Sequence, residues 1–132
     1  MKYYTFNLGE KEINLRLNSL DCETIEKQYN CTLLDYVQQG SIGSLVTLLQ
    51  YMRHGAGENF TKNMAYGFYD ELVDEGYTIE TILMKIIYPT LVVSGILGQE
   101  DLDKIMAERE KINNMSEEEK IKLMQERKNA KA

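Results

Sequence analysis

The chain has 132 residues, a mass of 15.3 kDa and a formal net charge of −6, with 43% apolar and 27% charged residues. That is enough for one packed domain and a tail, while fifteen Lys and Arg scattered through an acidic chain make a poor binder of phosphate backbones. Two cysteines and one histidine exclude a disulfide framework, a four-ligand zinc site built from cysteine alone and any mechanism that needs two histidines.

The first residues, Met1 to Phe6, run straight into an alternating pattern and hold no apolar stretch of signal-peptide length. Two thiols without a framework fit a reducing cytoplasm, and we expect the chain there. Tyr4, Phe6 and Leu8 alternate with Thr5 and Asn7, and Ile13, Leu15 and Leu17 alternate with Asn14 and Arg16. Period two predicts a β-hairpin over residues 3–17, with Gly9-Glu10-Lys11 at its turn. A lone hairpin is marginal in water, so its apolar face must lie on the helices that follow.

The first helix is predicted to start after Asn18 or Ser19, with Cys22, Ile25 and Tyr29 on one face. Asn30 suits the left-handed closing position. Thr32, with Asp35 three residues on, resembles a capping box and opens a short helix through Val37 that ends at Gly40. Ser41 to Ser44 reads as a turn around Gly43. Leu45, Leu48, Leu49 and Met52 then form a helical stripe ending at His54-Gly55, and Gly55-Ala56-Gly57 reads as a flexible break.

Thr61 caps a helix whose apolar face is Ala65, Phe68, Tyr69, Leu72 and Val73, and Gly76 ends it. Thr78 opens the most hydrophobic helix, with Ile79, Ile82, Leu83, Ile86, Ile87, Leu91, Val92 and Val93. Apolar residues on every side predict burial on every side. The segment is too short to span a bilayer and contains Lys85. Pro89 removes a backbone donor and predicts a kink or a split.

At Gln99 the composition changes. Residues 99–132 carry nine acidic and eight basic side chains, against twelve and seven before them. Apolar positions are sparse here: Leu102, Ile105, Met106, Ile112, Ile121 and Met124. Ser116 with Glu119 is a capping-box pattern that starts a last helix. The expected architecture is mainly α (α+β): an N-terminal β-hairpin and a compact multi-helix core over residues 1–98, then a charged helical tail over residues 99–132.

Three features carry the candidate chemistry. Asp70, Glu71, Asp74 and Glu75 form like-charge pairs four apart in the last turns of a helix, where both spacing and dipole oppose them. A solvated acidic face is the plain reading, and an acidic patch for a basic partner segment is the functional one. Carboxylates alone at this spacing lack the ordered loop of a metal site. His54, beside Arg53 at a helix C-terminus, reads as a cation facing the helix dipole. Cys22 and Cys31 read as small buried hydrophobes, because only His54 could activate either as a nucleophile. In the tail, Leu102, Ile105, Met106 and Ile112 either fold back on the core or dock on a partner helix. Neither Gly55-Ala56-Gly57 nor Gly95-Ile96-Leu97-Gly98 follows a strand, so neither is a phosphate loop.

The order of several short segments resembles a known family. They are Ile25-Glu26-Lys27-Gln28-Tyr29-Asn30 followed by Leu33-Leu34, and Leu45-Val46-Thr47-Leu48-Leu49-Gln50-Tyr51-Met52-Arg53-His54-Gly55. After them come Tyr69-Asp70-Glu71-Leu72-Val73-Asp74-Glu75-Gly76 and Ser94-Gly95-Ile96-Leu97. Over about residues 13–98 the chain resembles the tail assembly chaperones of bacteriophages and prophages with long non-contractile tails. Members often have glycine where this chain has Asn30, and an aromatic residue where it has Ile96.

The resemblance implies a mostly helical, non-enzymatic protein that binds and solubilises the tape measure protein in the host cytoplasm and is absent from the mature virion. A longer frameshifted product of such a gene recruits the tail tube protein. Arg127-Lys128-Asn129 permits a slippery codon run for that shift. No cofactor, metal, nucleic acid or membrane is implied. The expected contact residues are Asp70, Glu71, Asp74 and Glu75, with Leu102, Ile105 and Met106 in the tail. The competing reading is a cytosolic protein-interaction or adaptor domain unrelated to phage, self-associating through its tail. A third class, a small enzyme with a carboxylate site at residues 70–75, would need converging acids in a pocket or a bound metal.

Overall fold

The computed structural model describes residues 2–131, with side chains for all of them except Asn113 and 127–131. The chain is mainly helical, 67% by residue, with a two-stranded N-terminal hairpin and seven helices among the described residues. It divides into two compact units, Met1–Gly98 and Gln99–Ala132.

The hairpin pairs β1 (Tyr4–Leu8) antiparallel with β2 (Lys11–Leu15), in a register that sets Leu8 opposite Lys11 and Phe6 opposite Ile13. The turn is therefore two residues long, Gly9-Glu10. Gly9 has φ +62° and Glu10 does not have positive φ, the pattern of a II′ turn that matches strand twist. Leu8, Ile13, Leu15 and Leu17 are buried, so the alternation has set one face inward.

Helices α1 (Ser19–Tyr29) and α2 (Leu33–Gln38) follow. Asn30 closes α1 in the left-handed conformation, φ 52°. Thr32 Oγ1 accepts from the Asp35 backbone N–H, which is one half of the expected capping box. The residues expected as a turn at 41–44 are instead the start of α3 (Ile42–Gly55). Ser41 is its N-cap, and Ser41 and Ser44 exchange hydrogen bonds as a full capping box. Serine favours both turns and caps, and the local sequence does not choose between them.

Helix α3 is the central element. Residues 44–49 and Met52 are all buried, and α2, α4 (Lys62–Asp74), α5 (Ile79–Val93) and β2 pack around it. The expected break at Gly55-Ala56-Gly57 begins one residue later than Gly55. Gly55 belongs to the helix and is buried, and a Cβ there would overlap the Arg16 carbonyl oxygen and lie 2.8 Å from its carbon. Beside it the Arg16 N–H donates to the Met52 carbonyl at 3.0 Å. The strand exit and the helix end thus approach backbone to backbone, which only glycine allows.

Helices α4 and α5 meet at 110°. Ala65, Phe68, Tyr69 and Leu72 are buried as expected, but Val73 is 45% exposed and Ile79 38% exposed. The core face of each helix is thus narrower than its apolar composition suggests. In α5, Ile82, Leu83, Ile86, Ile87 and Leu91 are buried, while Val92 and Val93 are only half-buried.

Pro89 does not split α5. A π-helical turn at Leu83–Ile87 precedes it and the helix runs on to Val93. The carbonyl four residues before Pro89, that of Lys85, accepts instead from the Tyr4 hydroxyl at 2.7 Å. The hairpin thereby supplies the donor that proline lacks. The Ser94 side chain accepts from the Leu17 N–H at 2.9 Å, and Ile96 and Gly95 bond back to Leu91 and Val92 as a Schellman closure.

The second unit holds α6 (Gln99–Asn113) and α7 (Glu117–Lys131). Ser116 caps α7 by accepting from the Glu119 N–H at 3.3 Å. No single helix among the described residues is long and apolar enough to cross a membrane.

Candidate partner-binding surface

Helix α4 carries the acidic residues that the sequence singles out. Its inner residues, Ala65, Phe68, Tyr69 and Leu72, lie on the core. On the opposite side, a helical repeat places Asn63, Tyr66, Gly67, Asp70, Val73 and Asp74 on one exposed face. Asp70, Asp74 and Glu75 are exposed, and no ion pair to them is found among the described residues. Glu71 differs: it is half-buried and pairs with Lys11 at the hairpin turn. A basic partner was not expected within reach, because Lys11 lies sixty residues away in sequence.

Two cross-links fix α4 from its inner side, and a weak surface ion pair lies at its end. At its start the Lys62 ammonium donates to the Thr47 hydroxyl of α3. In its middle the Arg53 guanidinium lies 4.7 Å from the Phe68 ring centre and 4.4 Å from that of Phe60, and the two rings meet edge to face. Arg53 also grips Glu58 through two guanidinium nitrogens, one of them at 2.8 Å, which pins the loop before α4. At its end stands the Lys11–Glu71 pair. Helix α4 is therefore held to the core at its start and middle, and its outer face presents side chains to solvent.

In the tail, Leu102 is buried, Ile105 is half-buried and Met106 is exposed. Of the three expected contact residues there, only Met106 is exposed.

Two polar clusters were not visible in the sequence. His54 does not simply face a helix dipole. Its Nδ1 lies 3.1 Å from Oδ2 of Asp21, a buried carboxylate in the first turn of α1. A carboxylate accepts, so Nδ1 carries the proton. The second cluster joins four helices. Tyr29 and Tyr36 stack with ring centres 4.5 Å apart over Thr47 and Lys62. Hydrogen bonds to Thr47 and Tyr36 lower the Tyr29 hydroxyl below the usual tyrosine range. Burial pushes Tyr36 up to about 12. Proximity of the partners in the fold, not spacing along the chain, makes both clusters.

Neither cysteine is poised for chemistry by His54, which is engaged with Asp21. Both thiols are free and half-buried. Burial, with the carboxylates of Glu26 and Asp21, pushes the Cys22 thiol up to about 11, away from the thiolate that a nucleophile needs. Among the described residues no group of three or more His, Cys, Asp or Glu could hold a metal ion. Comparison of the chain with protein-family models, with curated proteins and with solved structures found no match.

Proposed function

We propose that this chain is a non-enzymatic phage tail assembly chaperone that binds the tape measure protein and keeps it soluble until the tail tube forms. The observation that carries this reading is the outer face of α4. It sets the exposed apolar side chains of Tyr66 and Val73 beside the carboxylates of Asp70 and Asp74 on a helix braced from within. A long helical partner with apolar stripes aggregates unless those stripes are covered, and the cover must come off again. A modest apolar contact with a charged rim, repeated along the partner, gives coverage and reversibility together. The acidic charge favours partner segments rich in Lys and Arg and keeps the coated complex in solution.

The order of segments that resembles the tail assembly chaperones supports the same reading. On it, the protein works in the bacterial cytoplasm, is left out of the finished virion, and engages the tail tube protein only through a longer frameshifted product. The test is co-expression with the tape measure protein of the same locus. The expected result is a soluble complex that co-purifies, where the tape measure protein alone aggregates. Aggregation unchanged by the chain, or a locus without tail genes, would contradict the reading and leave an unrelated adaptor domain.

A further inference from the structure

Gly67 has no explanation within a single copy of this chain. It stands in the middle of α4, its φ is not positive, and a Cβ there would meet nothing within 4 Å. Alanine would hold the helix better at no steric cost. Around it the outer face carries Tyr66 and Val73, 44% and 45% exposed, and the carboxylates of Asp70 and Asp74. A bare stretch of helix backbone beside an aromatic and an aliphatic side chain lets a second helix cross closely.

The same chain carries a segment of matching chemistry. From Lys120 to Lys131 there are five basic residues, Lys120, Lys122, Arg127, Lys128 and Lys131, against Glu126 alone. Ile121 and Met124, three apart on α7, share one side of the helix and are 55% and 68% exposed. At ~1.5 Å per residue this segment and α4 are each about 18–20 Å long, so one can lie along or across the other over its full length.

We propose that residues 120–131 of one copy dock on the outer face of α4 of a second copy. Ile121 and Met124 cover Tyr66 and Val73, Gly67 admits the close crossing, and Lys120 and Lys122 face Asp70 and Asp74. The contact joins two different surfaces, so it is head to tail and builds open chains rather than stopping at a dimer. It is small and its charges are solvated, so it is weak, reversible and sensitive to salt. It uses the face of α4 assigned above to the tape measure protein, so the two occupants compete for it, and sedimentation without tape measure protein tests the self-contact separately from that reading.

Sedimentation velocity of the full chain over a range of concentrations tests it, together with binding of a synthetic peptide of residues 120–131 to the full chain. The average mass is expected to rise above 15.3 kDa with concentration and to return to it in ~0.5 M salt. Gly67→Leu and the double variant Asp70→Lys/Asp74→Lys are each expected to weaken association and peptide binding at least about tenfold, with circular dichroism unchanged. A chain that stays monomeric at every concentration overturns the proposal. So does association that survives both variants, which would place the contact between tails. A monomer that refuses the peptide until residues 120–131 are deleted would mean docking within one copy, and it also overturns the proposal.

Discussion

Gly55 at the end of α3 and Gly67 in the middle of α4 are both helical glycines, and their surroundings are opposite. Gly55 is closed over by the Arg16 carbonyl, and any side chain there collides with backbone. Around it the Arg16–Met52 hydrogen bond and the His54–Asp21 pair tie strand, α1 and α3 into one seam. Gly67 meets nothing, and the face around it offers apolar and acidic side chains to solvent. One glycine is explained by the fold of a single chain and the other is not. On the readings proposed above, the difference separates residues that hold the molecule together from residues that meet a partner.

The same substitution should therefore have opposite signs at the two sites. Gly55→Ala forces backbone apart and is expected to cost about 3 kcal/mol, read as a fall in the urea midpoint. A loss below about 0.5 kcal/mol would mean that the seam is loose. Near that seam, Cys22 is held as a neutral thiol. At pH 8 its alkylation, followed by mass spectrometry, should lag an ordinary thiol about a hundredfold and speed up as the pH approaches 11. The sign follows from burial of an acid: the folded state keeps its proton where the unfolded chain loses it, so Cys22 also takes stability away between about pH 9 and 11. Gly67→Ala, in dilute protein, should raise stability by about 1 kcal/mol. Destabilisation there would show a constraint within one copy. Lys11→Ala, which removes an exposed partner of Glu71, should cost no more than about 0.5 kcal/mol.

Features set by neighbours along the chain were legible in the sequence. The hairpin followed from period two, the starts of α2 and α4 from Thr32 and Thr61, and the buried stripe of α3 from its spacing. Features made by distant residues were not legible. Gly55 needs Arg16, the carbonyl left by Pro89 needs Tyr4, His54 needs Asp21, and Glu71 needs Lys11. Each of these joins residues more than thirty positions apart, and periodicity carries no information at that range. The acidic turn of α4 was legible as an oddity because like charges four apart conflict locally. That Val73 joins it on the outside was not, because an apolar residue at the margin of a helical stripe can face either way.

The most direct test of the account is co-purification of the tape measure protein with a variant carrying Asp70→Lys, Asp74→Lys and Glu75→Lys. Glu71 stays in place, so its pair with Lys11 and the bracing of α4 are kept. The expected result is at least about a tenfold loss of captured tape measure protein while the variant remains folded. Capture equal to that of the unaltered chain would remove the outer face of α4 from the function.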